Sequence, residues 1–489
     1  MNLEKHRKFE LIILFGILFL FSLLSFYRIS SFSLWLDEIM SLDFADGDFS
    51  ELIQDLAEDV HAPFFYIILS WFIDIFGLSA LTGRVVSILF GAGTVILLFL
   101  YVKETREWKT ASTAAVLLSL WPMFIEFTRE IHPYSASAFF AVLSWFFFIR
   151  ILRKESRIDF VFYGISCGLL LLSFYMGILV VFSQFLMFVI HWKKTGRKIK
   201  LHAMFGWIIG MIVFFPWLPH FISQLKEFRI GVIEQYFPEG VGFSESISLL
   251  SDVYFGTFMR SVSTLWPGIG AIVLNIMLFV LILFKKEKRR GGGTAIDPAW
   301  WMIWPFWSVF ALFIILGMFK PIILSRYLTM AIPFTASFAA FALSRLRKNY
   351  LIAAVVILSF IFILCYPIYL KSMPRQNWRE PAVFISQRIQ PDEVVVVDNV
   401  NAMSCMVYYF ILMDHPELYD NIFPFELFYE NTRGAYPFEN RKLYFLYRPG
   451  KQHDEMLDIL KEKNFLMRHE KFQKGYRVYL FRGKNKKSD

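Results

Sequence analysis

LIILFGILFLFSLLSFYRISSFSLWLDE, residues 11–38, sets the architecture expected of this chain. Its first part, Leu11–Phe26, is apolar apart from Gly16, Ser22 and Ser25, and it carries no charge. It approaches the roughly 20 residues that an α-helix needs to cross a hydrocarbon core. Phe26-Tyr27-Arg28 offers no small-residue cleavage site, so the block reads as a retained span rather than a signal peptide. The second part ends in Trp35-Leu36-Asp37-Glu38, two adjacent carboxylates just beyond that span.

Similar apolar blocks recur along the chain, Val85–Tyr101 and Leu351–Tyr369 among them. The 489 residues are 56% hydrophobic and only 19% charged, a balance that soluble domains of this length rarely show. Spans are expected near 9–28, 84–101, 110–127, 134–151, 159–173, 175–191, 203–219, 265–284, 299–318, 328–343 and 350–369, eleven in all. Basic clusters orient them. Lys5-His6-Arg7-Lys8, Arg150–Arg157, Lys193–Lys200, Lys285–Arg290 and Arg345–Lys348 are assigned to the cytoplasm. The protein is then multi-pass in the cell membrane, with its N-terminus cytoplasmic and its C-terminal tail extracytoplasmic. These loops account for the net charge of +9, and no basic stripe interleaved with aromatics stands outside them. Nucleic acid is therefore not an expected partner. Cys167, Cys365 and Cys405 show neither metal-site spacing nor a CxxC pair.

Residues 1–370 are expected to form an all-α polytopic membrane domain whose first outer loop is 29–83. That loop contains no Lys or Arg but is rich in Asp and Glu, as an outer loop should be. Within it, Phe49, Leu52, Ile53, Leu56 and Val60 recur at helical spacing, and Asp48 with Glu51 three residues on resembles a capping box. Ala62–Phe76 is apolar but short, carries Asp74 and lacks basic flanks, so it reads as a juxtamembrane or partly inserted helix. Residues 371–489 read as a small soluble α/β domain, a structural cap. Val394–Val397, Arg441–Tyr447 and Tyr476–Phe481 are its expected strands, and Pro381–Gln390 and Glu455–Lys463 its helices.

Asp37 and Glu38 alone would be equally compatible with a solvated turn, and Trp35 with an interfacial aromatic belt. Other polar residues assigned to the same side of the membrane favour a site. His61-Ala62-Pro63 follows the amphipathic helix, and Glu126, Arg129, Glu130, His132 and Tyr134 crowd a short second outer loop. Lys320 and Arg326-Tyr327 stand at the outer end of a later span. Arg129, Lys320 and Arg326 run against the depletion of cations outside. Each could be a lipid-headgroup anchor, but Arg is also suited to forked phosphate binding. Carboxylates near cations at lipid depth fit transfer chemistry on a phosphate-bearing lipid.

These motifs resemble, in order over roughly residues 9–345, those of the protein O-mannosyltransferase-like family of GT-C membrane glycosyltransferases (family 39, aminoarabinose-transferase-like). Leu34-Trp35-Leu36-Asp37-Glu38 resembles its first-loop acidic motif, and His61-Ala62-Pro63-Phe64-Phe65-Tyr66 its His-Pro-Pro-Leu segment. Phe76-Gly77-Leu78-Ser79 with Arg84-Val85-Val86-Ser87, Arg129…Tyr134 and Ser325-Arg326-Tyr327-Leu328 resemble three further motifs. Ala62 and Val86 replace prolines of the family pattern, and the spacing from Arg129 to Tyr134 is longer than usual. The resemblance implies a GT-C fold, a polyprenyl-phosphate sugar donor and transfer with inversion. It implies Asp37 as general base, with Glu38 orienting the acceptor or assisting. Arg129, Lys320, Arg326 and His61 become candidates for the donor phosphate, and Trp35, Tyr134 and Tyr327 for substrate contact. No nucleotide motif is present and none is needed. Asp37, Glu38 and His61 could hold a divalent cation, although no ligand spacing argues for one. The acceptor class, whether protein, glycolipid or polysaccharide, is not written in the sequence.

Two other readings stay open. A lipid or sugar transporter or flippase would carry ionisable groups in mid-span, where this chain is nearly free of them. A scaffold with the tail as binding module would explain 371–489 but not the ordered outer motifs.

Overall fold

The computed structural model describes residues 3–154, 158–227, 243–263, 265–284, 299–319, 324–372, 376–390, 393–413, 415–432, 442–447, 451–472 and 476–483. They belong to two compact units. One comprises Met1–Ile29 and Phe44–Ser372, the other Ser30–Asp43 and Met373–Asp489. The acid-bearing start of the first loop thus packs with the tail, unlike the expected grouping of all of 29–83 with the membrane domain.

The larger unit is helical. Among the described residues, eight helices are long and apolar enough to cross a membrane: Arg7–Ser31, Ala80–Thr105, Tyr134–Arg153, Arg197–Lys226, Leu265–Leu283, Trp300–Phe319, Ser325–Leu343 and Lys348–Ser372. Trp108–Leu120 and Pro122–Thr128 together make a ninth candidate, bent by 62°. The shorter apolar helices Asp159–Ser173 and Tyr175–Ile190 occupy the two remaining places among the eleven expected spans. The bend has a local cause. Pro122 opens the second piece, and Trp121 before it is extended (φ −65°, ψ 118°), as a residue preceding proline prefers.

Close helix approach depends on small residues. Gly164 and Gly168 on Asp159–Ser173 face Gly206 and Gly210 on Arg197–Phe214, a reciprocal small-xxx-small pair. A Cβ at Gly164 would run into the Gly206 carbonyl oxygen, and one at Gly168 into Val213. Elsewhere large side chains fill the core, with Trp121, Trp145 and Trp301 fully enclosed.

In the first loop, Phe49–Glu58 is a helix whose entry is capped as expected, the Asp48 N–H donating to the Glu51 carboxylate at 3.2 Å. Leu52 and Leu56 are buried, but Phe49 and Val60, at the ends of the same stripe, are exposed. Phe64–Phe76 is a separate 13-residue helix ended by Gly77 at φ +81°. At about 20 Å it is shorter than a hydrocarbon core, and Trp71, Ile75 and Phe76 project from it.

The tail unit holds a five-stranded sheet in the order β2-β1-β3-β5-β4, where β1 is Val394–Val397, β2 Ile422–Pro424, β3 Lys442–Tyr447, β4 Asn464–Lys471 and β5 Arg477–Gly483. The valine run β1 is an interior strand, parallel to both β2 and β3, in keeping with the burial of Val395, Val396 and Val397. β3, β5 and β4 pair antiparallel. Helices Arg379–Ser386 and Lys451–Lys463 coincide with the two expected. Val400–Leu412 and Phe425–Thr432 are additional, as are β2 and β4. The edge strand β4 carries charges and a bulge at Leu466/Arg468, which hides its alternation from the sequence.

Candidate functional site

In the tail unit, Leu36–Asp46 forms a helix with Asp37 and Glu38 in its first turn, where the helix dipole favours negative charge. Glu38 is fully buried, and its carboxylate accepts the Trp35 N–H at 3.4 Å. Asp37 is half-buried, and its carbonyl accepts the Ser41 hydroxyl at 2.7 Å. Trp35 is buried beside them. The two acids therefore differ. Glu38 is tied into its own turn, while Asp37 keeps part of its surface open.

In the membrane unit, His61 lies between Phe49–Glu58 and Phe64–Phe76. Its Nδ1 is 2.5 Å from the Asp59 carboxylate. Burial pushes the Asp59 carboxyl up, but the His61 hydrogen bond and charge, with the Val60 N–H, outweigh it, and the net pKa lies below the ordinary carboxylate value. The His61 carbonyl is held by the Tyr175 hydroxyl at 3.2 Å, and Tyr175 in turn donates to Gln224 and accepts from the Trp217 indole. A run of ring contacts starts here. His61 meets His132 at 5.3 Å, His132 stacks on Tyr134 at 4.2 Å, Tyr134 meets Phe174, and Phe174 meets Tyr327. Four of the residues singled out in the sequence, His61, His132, Tyr134 and Tyr327, are thus joined by one aromatic row.

Arg129 ends the Pro122–Thr128 helix and is 2% exposed. Its guanidinium donates to the Tyr27 carbonyl at 2.7 Å and the Tyr366 hydroxyl at 2.9 Å, and lies over the Tyr369 ring at 5.2 Å. A cation so held has a fixed direction. Glu126, one turn earlier, accepts the Thr257 N–H at 2.9 Å and also its hydroxyl. The segment 126–134 is consequently not a solvated surface, since Glu126, Glu130 and His132 are buried as well. Arg326 is half-buried in the 3-10 turn Ser325–Ala331, which packs on Tyr134–Lys154 and on Pro122–Thr128. Lys320 lies outside the described residues.

The acids belong to one unit and the candidate cations to the other. Among the described residues, no group of three His, Cys, Asp or Glu side chains is gathered as a metal site. Two features were missed in the sequence. One is the Gln224–Tyr175–Trp217 network behind His61. The other is a buried Asp252 paired with Arg260 through Nε at 3.0 Å and Nη2. The first joins residues far apart in the chain and gives no local signal. The second, eight residues apart, could have been suspected from an Asp in an apolar run.

The fold is of the GT-C type. ArnT from Cupriavidus metallidurans in the apo state superposes with a TM-score of 0.64 at 12% identity, covering 96% of this chain and 97% of that one. ArnT from the same organism bound to undecaprenyl phosphate gives 0.63 at 13% identity, with the same coverage. The oligosaccharyltransferase of Archaeoglobus fulgidus in the apo form gives 0.55 at 12% identity, covering 98% of this chain and 75% of that one. The sequence is similar to the family Dolichyl-phosphate-mannose-protein mannosyltransferase, whose profile matches residues 60–220. No curated protein matches the chain by sequence.

Proposed function

We propose that this protein transfers a sugar from a polyprenyl-phosphate donor to an acceptor hydroxyl at the extracytoplasmic face of the membrane. Most support comes from one observation. A chain with the fold of ArnT, a protein that has been captured with undecaprenyl phosphate, carries a half-open aspartate in the first turn of the helix that follows its first span. In the reaction the acceptor oxygen attacks the anomeric carbon from the side opposite the lipid phosphate. A C–O bond forms, the bond to the phosphate oxygen breaks, and configuration inverts. The acceptor proton passes to Asp37, a contribution of about 10²–10⁴-fold for a positioned base. The electron pair of the broken bond stays on the lipid phosphate, which needs positive charge more than a proton. Arg129 and Arg326 supply it, with Lys320 and His61 as further donors to the same group. Glu38 assists by holding the turn that carries Asp37. Trp35, Tyr134 and Tyr327 contact substrate.

The donor's long tail stays in the bilayer and its phosphate at headgroup depth, so residues at span ends meet it without a nucleotide site. The acceptor is a protein, glycolipid or polysaccharide hydroxyl. Membranes containing the protein, incubated with a panel of radiolabelled polyprenyl-phosphate sugars, should move label from one donor into an acceptor fraction. No transfer from any member of the panel, with donor still bound, would argue for a carrier instead.

A further inference from the structure

Three successive backbone N–H groups lead into the helix that carries Asp37, and each is taken by a side chain. The Leu34 N–H donates to the Tyr409 hydroxyl oxygen at 2.6 Å, the Trp35 N–H to Glu38 at 3.4 Å, and the Leu36 N–H to the Gln376 side-chain carbonyl at 3.0 Å. Two of these acceptors come from the tail. Tyr409 also bonds the Ser33 hydroxyl at 3.0 Å, and Ser33 Oγ in turn accepts the N–H groups of Trp378 and Arg379 at 3.1 and 3.3 Å. Gln376 is itself fixed by the Trp378 indole N–H at 2.9 Å. Arg379 reaches the Ser30 carbonyl. Tyr409 stands on Val400–Leu412, a helix capped by Asn399, whose side chain accepts the Ala402 N–H at 2.9 Å.

Orphan amides at a helix entry ordinarily find water or their own cap. Here, residues some 340–375 positions away in sequence fill that role on either side of Trp35, immediately before the acid. We propose that Tyr409 and Gln376 are positioning residues, through which the tail domain fixes the direction of the Asp37 carboxylate. This deepens the proposed function and rests on Asp37 being its base. A second observation agrees. Cys405, one turn before Tyr409 on the same helix, is buried, and its thiol is pushed up by that burial and then by the negative charges of Asp37 and Asp398. The acid therefore lies close to the helix that Tyr409 occupies.

The test uses the full chain in lipid nanodiscs, with Tyr409→Phe, Gln376→Ala, Gln376→Glu and Asp37→Asn. Tyr409→Phe and Gln376→Ala should lower kcat about tenfold or more while donor KM changes little, because misplacing a base costs turnover rather than binding. Gln376→Glu keeps the acceptor for the Leu36 N–H and should recover most of that loss. Independently of activity, hydrogen exchange at the amides of residues 34–36 should quicken about tenfold in Tyr409→Phe and in Gln376→Ala. Wild-type kcat in both variants, with Asp37→Asn inactive, would overturn the positioning role alone. So would unchanged exchange at those amides. An active Asp37→Asn would instead remove the underlying reading and the proposal with it. A Tyr409→Phe protein that fails to fold leaves the decision to the Gln376 pair, where equal kcat in Ala and Glu overturns it.

Discussion

Arg129 illustrates how much one side chain is asked to do. Its fork is shared between the Tyr27 carbonyl and the Tyr366 hydroxyl, with Tyr369 below. Lysine keeps the charge but not the two parallel donors, nor the flat face for the ring. Arg129→Lys should therefore raise donor KM about tenfold, and unchanged kinetics would remove Arg129 from the phosphate site. Asp59 gives a pH prediction. Its carboxyl titrates below the ordinary value in the folded protein, so the stabilisation it contributes is complete above that ordinary value. It is lost as pH falls through the lower, folded pKa. Wild type should melt above Asp59→Asn at pH 7, and the two melting curves should converge as pH falls through that lower, folded pKa. A gap independent of pH would contradict the His61 contact as its source. His61 itself was visible in the sequence as a motif residue. Its partner Asp59, two positions earlier, gives no such signal, because a carboxylate does not announce which way it turns.

At the scale of elements, apolar blocks located the spans well, since membrane insertion demands long runs whatever the neighbours are. The break at Trp121-Pro122 went unread although proline marks it, because both halves remain apolar and the hydropathy signal runs through. The glycine pairs were legible in principle as Gly164-x-x-x-Gly168 and Gly206-x-x-x-Gly210. Which helices they join was not. Their packing predicts a contrast. Gly164→Leu or Gly210→Leu should destabilise the protein by roughly 1–3 kcal/mol or block folding, as overpacking does. Gly16→Leu, with open space around its Cα, should be tolerated. Comparable melting temperatures for all three would contradict the close approach. In the tail, the valine run and its flanking strands were legible by composition. Val400–Leu412 escaped because a short apolar helix resembles a strand run, and only Asn399 at its start hints otherwise. Tyr409 escaped with it. Its contacts to Ser33 and Leu34 span most of the chain, and sequence spacing carries no trace of them.

For the whole molecule, the fold is shared with ArnT over nearly the full length of both chains, at an identity too low to carry residue roles. Topology is separately testable. Cys167, Cys365 and Cys405 are all buried, so a surface cysteine can be labelled against a quiet background. Lys194→Cys should react with an impermeant maleimide only from the cytoplasmic side, and Glu462→Cys only from the outside. The reverse pattern would place the acids in the wrong compartment for the proposed reaction. In the proposed reaction Asp37 takes the acceptor's proton while the lipid phosphate leaves toward the cations. Its most direct test is the rate of sugar transfer from the accepted polyprenyl-phosphate donor by Asp37→Asn in nanodiscs. A fall of about 10²–10⁴-fold is expected, with donor affinity and melting temperature preserved. Transfer at the wild-type rate by that variant would contradict it.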